Sequence, residues 1–325
     1  MKRVLSGIQP SGTHLHIGNY FGAVKQFIEL QDTPDRECFF FIANLHAMTT
    51  ITDRKTLLEN SLEVAAEYLA FGLDPEKSVV FLQSDVPEVT ELAWYLSNVT
   101  PFGLLERCHS YKDKTSKGIS PNHGLFAYPV LMAADILICR SNLVPVGKDQ
   151  KQHLEVTRDI AARFNHIYGD VFPLPEPIIL SDVAEVPGTD GRKMSKSYGN
   201  TIDIFAPEKA VKKTIMSTVT DSRGVDEPKD PDTCTPLRLL GLFMEKEAFA
   251  DYRQRFADGR IGYGDVKKKL FEAFMDRFAP VRKRREDIIG DMEAVRKRLL
   301  SGAQKASDTT AGTMKAVREA VGVPV

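Results

Sequence analysis

The run Gly191-Arg192-Lys193-Met194-Ser195-Lys196-Ser197 places two ammonium groups three residues apart among hydroxyls and small residues. Two cations on a short polar loop can grip a polyphosphate. The same composition also suits a solvated surface loop, as charge runs often do. A second stretch shifts the balance: Gly7-Ile8-Gln9-Pro10-Ser11-Gly12-Thr13-His14-Leu15-His16-Ile17-Gly18-Asn19 reads as a strand end, a tight turn and a helix start. Gly18 has no side chain, so a base or ribose can come close to its backbone. The helix that follows offers free amides and a positive dipole end to phosphate. His16 and Asn19 add polar donors, although His16 also fits a packed, capping histidine. Neither Gly-x-Gly-x-x-Gly nor Gly-x-x-x-x-Gly-Lys-Ser/Thr occurs, which argues against dinucleotide-dependent dehydrogenases and Walker-type nucleotide hydrolases.

The elements that must hold these residues follow from the apolar pattern. Val4–Ile8, Cys38–Ala43 and Val79–Gln83 are short runs rich in branched or aromatic residues, each fitting a buried parallel strand. Between them, Asn19–Leu30 gathers Phe21, Val24, Phe27 and Ile28 on one helical face, and Leu57–Phe71 does so with Leu58, Leu62, Ala65 and Leu69. Strand, helix, strand, helix predicts an α/β, doubly wound parallel sheet, with ligands at the carboxyl ends of its strands. After about residue 205 strand signals fade. Pro207–Thr218, Thr235–Ala257, Asp265–Phe278, Val281–Leu300 and Ser307–Val321 all read as helices. Residues 1–205 are therefore expected to form the catalytic domain and 206–325 an all-helical one.

At 325 residues, 42% hydrophobic and 27% charged, the chain suits a two-domain soluble protein. Its N-terminal apolar run is broken by Ser6, Gly7 and Pro10, too early for a secretory core, and the longest apolar stretch is interrupted by Pro129 and Asp135. A cytoplasmic location without membrane association is expected. Cys38, Cys108, Cys139 and Cys234 are scattered, with no zinc or iron–sulfur spacing, so no protein-held metal is expected. A net charge of −1 excludes a wholesale nucleic-acid coat, yet 17 basic against 11 acidic residues from Asp251 onward leave room for a local basic footprint.

The segments His16-Ile17-Gly18-Asn19 and Lys193-Met194-Ser195-Lys196-Ser197 together resemble the HIGH-like and KMSKS signatures of class I aminoacyl-tRNA synthetases. The resemblance covers nearly the whole chain and is closest to the bacterial tryptophan-specific branch. It extends to Gly7–Gly12, His46–Thr49, Tyr128–Asp135 and Val144–His153. One residue more than the family usually has lies between Gly12 and the HIGH-like tetrad, at Thr13-His14-Leu15. The cysteines of the iron–sulfur motif that some tryptophan-specific members carry are missing.

The resemblance implies a Rossmann-like, HUP-type catalytic domain and assigns residues to it. Gln9, Pro10, Ser11, Gly18 and Asn19 would line the ATP side. Gly147, Lys148 and Asp149 would hold ribose and base, and Val186 the adenine edge. Lys193, Met194, Ser195, Lys196 and Ser197 would face the phosphates, with Lys193, Lys196, Asn19 and His16 as the catalytic set. Gly7, Gln9, His46, Met132, Asp135 and Gln150 would contact the amino acid.

The amino acid itself can be argued physically. Tyr128, Met132 and Asp135 fall at i, i+4 and i+7 on one face of a segment that is apolar nearly all round. A carboxylate buried there needs a partner, either a local amide or basic group or the indole N–H of tryptophan. Tyrosine-specific relatives commonly have Gln where Met132 stands, so Met132 favours tryptophan.

The implied reaction needs no protein nucleophile. The carboxylate of L-tryptophan attacks the α-phosphorus of ATP, pyrophosphate leaves with Mg²⁺ bridging its oxygens, and the adenylate then loads tRNA(Trp). Lys267, Lys268, Lys269, Arg282, Lys283, Arg284, Arg285, Arg296, Lys297 and Arg298 would meet tRNA phosphates in an anticodon-binding domain. A homodimer is implied, with Pro87–Arg107 and the sole tryptophan, Trp94, as its candidate interface. Two rivals remain: a tyrosine-specific synthetase, and a non-catalytic RNA-binding paralogue that would have no chemical reason to keep both lysines.

Overall fold

The computed structural model describes residues 1–12, 14–108, 122–147, 151–179 and 185–324. Five parallel strands form one sheet in the order β3-β2-β1-β4-β5, with β1 Lys2–Ile8, β2 Arg36–Ile42, β3 Val79–Leu82, β4 Leu143–Val146 and β5 Glu176–Ile179. The chain builds β1, β2 and β3 outward in one direction, then returns to the other side of β1 for β4. The strand order therefore reverses between β1 and β4, and a crevice opens there at the carboxyl ends.

The first three strands lie where their apolar runs predict. Lys2 pairs with Arg36 and Ile8 with Ile42, in unbroken register. Cys38, Phe39, Phe40 and Ile42 are almost completely buried, as expected of a strand covered on both faces. Phe27 stacks on Phe40 with ring centroids 4.6 Å apart, tying the first crossover helix to the sheet. That crossover has three parts: Ile17–Asn19, a π-helical turn Tyr20–Val24, and Lys25–Gln31. Asp53 caps the second crossover, Arg54–Phe71, through Thr56 N–H at 2.7 Å, and Gly72 ends it at φ +110°. The apolar pattern does not announce β4 and β5. Each is four residues long and carries a proline, Pro145 and Pro177, which lowers strand propensity.

The C-terminal helices divide differently from their sequence pattern: Thr235–Ala257 splits into Thr235–Leu240 and Lys246–Ala257, and the last two helices are longer than expected. Tyr263–Ile289 runs through Pro280, because Val266, Leu270, Phe274, Phe278 and Val281 bury one continuous face across it. The break comes instead at Gly290 and Asp291, and a single helix, Met292–Val321, replaces two expected ones. This last helix lies along β3. A Cβ on Gly302 would sit 1.9 Å from the Val80 carbonyl oxygen, so only glycine allows the approach. Arg296 pairs with Asp85 (2.9 Å) and Arg318 with Glu91 (2.8 Å), fastening the helix to the β3 turn and to the Glu88–Ser97 helix.

These anchors reassign part of the basic cluster. Arg282 donates to the Ile204 carbonyl, Arg284 to the Ala70 carbonyl (2.8 Å), Arg285 to Glu63 and Lys267 to the Met216 carbonyl (3.0 Å). With Arg296, five of the ten basic residues expected to meet RNA also make contacts within the fold. Lys268, Lys269, Lys283, Lys297 and Arg298 stay exposed. Among the described residues, no helix is long and apolar enough to cross a membrane. All four cysteines are buried free thiols.

Candidate active site

A cavity of about 1290 Å³ opens at the carboxyl ends of β1 and β4. Drug-sized sites usually occupy ~300–1,000 Å³, so this one has room for two ligands. Its wall brings together Gly7, Gln9, Ser11, His16, Gly18, Asn19, His46, Met132, Asp135, Gly147, Val186 and the whole Lys193–Ser197 stretch. Pro10 is buried and lies outside the lining, and its carbonyl accepts from Asn60 at 3.4 Å. Thr13, Lys148, Asp149 and Gln150 lie outside the described residues.

One end of the cavity is set by Asp135 on the Asn122-capped helix His123–Ile138. Its carboxylate is 4% exposed and accepts from His46 Nε2 at 2.8 Å and from Gln83 Nε2 at 2.8 and 2.9 Å. Burial pushes the Asp135 carboxyl above its usual range, while the His46 hydrogen bond, the His46 charge and Gln83 pull it back. Gln83 is itself fixed, its Oε1 accepting from the Leu45 and His46 N–H groups. A carboxylate has about four acceptor positions. Three are used, leaving one for a ligand N–H between Met132, Tyr128 and Val144, which line the same wall. Sequence reasoning does not reach Gln83, although its place just after β3 is where the strand-end rule looks for ligand contacts.

The other end joins the two glycine-bearing turns. His16 precedes the Ile17 helix, and its backbone N–H donates to Asn19 Oδ1 at 3.1 Å, so Asn19 holds the turn as well as lining the cavity. A Cβ on Gly18 would lie 2.9 Å from the His16 ring and 3.4 Å from Met194 Cβ. A Cβ on Gly12 would lie 2.7 Å from Lys196 Nζ. The glycines thus let the two signatures touch.

The lysine loop is a tight hairpin. Met194 N–H donates to the Val186 carbonyl (2.9 Å), Pro187 bridges Lys193, and Gly191 turns the chain at φ +84°. Asn200 clamps it from beneath. Its Oδ1 accepts from Ser195 N–H (2.8 Å), and its Nδ2 donates to Asp190 (2.7 Å) and the Lys193 carbonyl (3.0 Å). Asp190 in turn pairs with Arg192 at 2.6 Å. Nothing in the spacing of Asn200 or Asp190 announces these roles. The segment that follows pairs back onto the first turn, with Ile17 N–H to the Ile202 carbonyl and Ile204 N–H to the Leu15 carbonyl.

Burial lowers the Lys196 pKa, with Asp203 and Glu67 opposing the shift. Burial, then Lys196, lowers the His16 pKa to about 4 from 6.5. His16 is therefore neutral in the folded protein at pH 7 and down to about pH 4, whereas the unfolded chain takes up that proton from about pH 6.5 downward. Stability is expected to fall as the pH drops through this window, by up to ~1.4 kcal/mol per pH unit from this one group. Urea unfolding at about pH 7 and about pH 5 checks this. The loss should shrink in His16→Asn, and an identical loss would contradict it.

Residues 1–279 match the family described as tRNA synthetases class I (W and Y). The chain belongs to this family. Over 324 residues the synthetase is 54% identical to the tryptophan–tRNA ligase of Fusobacterium nucleatum, covering 99% of this chain and 98% of that protein. The tryptophanyl-tRNA synthetase of Campylobacter jejuni, solved with ADP and tryptophan, superposes with a TM-score of 0.89 at 49% identity, covering 99% of this chain and 100% of that one. The Mycoplasma pneumoniae tryptophanyl-tRNA synthetase gives a TM-score of 0.86 at 32% identity, covering 100% of this chain and 98% of that one. The five-stranded parallel sheet with flanking helices and the helical C-terminal region of this synthetase form the Rossmann-like class I synthetase fold.

Proposed function

We propose that this synthetase binds tryptophan at the Asp135 end of the cavity and ATP at the lysine-loop end, and runs both half-reactions there. Its activity is the ATP-dependent activation of L-tryptophan and the transfer of the tryptophanyl group to tRNA(Trp). The observation that carries the substrate is the set of donors around Asp135. His46 and Gln83 orient an acceptor-only group toward an apolar slot, where an indole N–H completes it and a phenyl ring cannot.

ATP lies along Gln9, Ser11, Gly18, Asn19, Gly147 and Val186, its triphosphate toward Lys193 and Lys196. His16 packs beneath as a neutral ring. The tryptophan carboxylate displaces pyrophosphate in line, and the lysines neutralise the leaving group. Mg²⁺ bound to the ATP phosphates would add to the charge neutralisation by Lys193 and Lys196, and Asp135, committed to His46 and Gln83, would not hold it.

Residues 1–205 act as the catalytic domain, and 206–325 carry the anticodon-binding surface on Lys268, Lys269, Lys283, Lys297 and Arg298. A homodimer covers the face where Trp94 (70% exposed) and Met48 line a second hollow beside Leu131. Trp94→Glu is expected to yield monomer in sedimentation velocity, and an unshifted dimer would move the interface elsewhere. The reading as a whole is tested by charging purified tRNA(Trp) with labelled amino acids. Tryptophan should be transferred and tyrosine not, and the reverse result would assign the tyrosine-specific activity.

A further inference from the structure

Gly12 and Gly18 are the two points where the first turn abuts the lysine loop, and between them the backbone meets one buried carboxylate. Glu67, on the Arg54–Phe71 helix, is fully buried and lies outside the cavity lining. One of its oxygens accepts from the Leu15 N–H at 2.8 Å, and the other meets His14 Nδ1 at 2.8 Å. On the other side of the turn, Ile204 N–H donates to the Leu15 carbonyl at 3.2 Å. His14 and Leu15 fall in the stretch that is one residue longer than the family usually has, so Glu67 fixes the path of that longer turn. Arg285, from the Tyr263–Ile289 helix, donates to Glu63, lies 3.7 Å from Glu67 and packs 5.0 Å over the Phe205 ring. The donor atoms of His14, Glu63 and Glu67 lie within 4.8 Å of one another, but the Arg285 guanidinium already supplies the cation of that cluster.

We propose that Glu67 is a positioning residue for amino-acid activation: it holds the Leu15–Asn19 turn where Gly18 and Asn19 meet ATP, with Arg285 supplying the opposing charge. The proposal rests on the reading of that turn as part of the ATP site. A buried N–H needs an acceptor, and Glu67 serves the Leu15 N–H and the His14 ring together. Without the carboxylate, the Leu15 N–H is left unpaired, and the turn shifts toward whatever acceptor it can reach. Such a shift misplaces Gly18 and Asn19 against the nucleotide. The Asp135 end of the cavity stands on a different helix, His123–Ile138, and is left in place. Removing Arg285 acts on the same turn, because it strands the buried Glu67 charge without its partner. The position of the turn therefore depends on a helix of the C-terminal part.

Glu67→Met removes both acceptors at similar length, whereas Glu67→Gln keeps an oxygen for the Leu15 N–H and an amide that can donate to His14 Nδ1. In pyrophosphate exchange, Glu67→Met is expected to lower kcat/KM for ATP by about 10- to 100-fold per tryptophan-binding molecule. Its tryptophan dissociation constant, measured by equilibrium dialysis, should stay within about twofold, and Glu67→Gln should keep its ATP kcat/KM within about threefold of the parent. Arg285→Met should lower kcat/KM for ATP in the parent and do so much less in the Glu67→Gln background, where no buried charge is stranded. A folded Glu67→Met with unchanged ATP kinetics, whatever its melting temperature, overturns the proposal and leaves Glu67 a purely structural residue. So does a Glu67→Gln that fails as badly as Glu67→Met. If Glu67→Met does not fold, the Arg285 cycle decides, and equal losses in the two backgrounds overturn the proposal. Failure of the underlying reading looks different: Gly18→Ala alone would then leave the ATP kinetics intact.

Discussion

Replacing Lys196 by alanine is expected to slow tryptophan-dependent ATP–pyrophosphate exchange by about 10²- to 10³-fold, the range seen when one preorganised charge-stabilising group is removed. The KM for tryptophan should stay within about twofold, because an interaction made only as pyrophosphate departs does not stabilise bound substrate. The expectation comes from where the ammonium sits. Lys196 is drawn below its ordinary pKa by burial, against Gly12 and in the same cavity wall as the Gly18 turn. Charge in so sheltered a place acts on a leaving group more strongly than an exposed lysine would. Lys196→Arg should not rescue the rate. The ammonium rests against Gly12, and a planar, delocalised fork cannot replace a point charge there. Exchange kinetics at varied ATP and tryptophan separate the outcomes: equal losses in kcat and in tryptophan affinity would mean that the lysine merely binds ground states.

Asp135→Ala is expected to lower kcat/KM for tryptophan by about 10²- to 10³-fold and to collapse discrimination against phenylalanine, since sites built on a buried hydrogen bond owe ~10⁴–10⁵ of selectivity to it. The ATP KM should survive, because Asp135 lies at the opposite end of the cavity from the lysine loop. Asp135→Asn sharpens the test. His46, Gln83 and the indole N–H are all donors toward this side chain, so an amide turns one acceptor edge into a fourth donor. The asparagine variant should therefore fail nearly as badly as alanine, despite its identical shape. Retained selectivity in Asp135→Asn would assign substrate choice to the apolar wall around Met132 instead.

Much of this site is legible before any coordinates, and the reasons differ from residue to residue. The two lysines and the Gly18 turn can be read because phosphate chemistry constrains residue type and spacing together. Asp135 stands out because a charge in an apolar helix must be explained. Gln83 and Asn200 are invisible for the opposite reason: an amide that orients another side chain can come from anywhere the fold brings it. Gln83 lies 52 residues before Asp135, a gap that only the folded sheet closes. Glu67 carries a faint signal, a charge among the buried residues Val64, Ala65 and Tyr68 of its helix.

The fold divides in the same way. β1, β2 and β3 are apolar enough to declare themselves, whereas β4 and β5 are short and carry Pro145 and Pro177. The C-terminal helices divide differently in the sequence because Pro280 and Gly302 look like breaks when read locally. Packing overrides both: Pro280 is exposed beside a continuous apolar face, and Gly302 is where the last helix meets β3. The basic cluster shows the limit of counting charge, since Arg282, Arg284, Arg285 and Arg296 are engaged by carbonyls and carboxylates of the catalytic part.

The most direct test of the central claim is ATP–pyrophosphate exchange measured with the purified protein against each of the standard amino acids in turn. Tryptophan alone should drive rapid exchange, and tyrosine and phenylalanine should fall short by about 10⁴-fold or more in kcat/KM. Exchange driven equally well by tyrosine, or by no amino acid at all, would contradict the account.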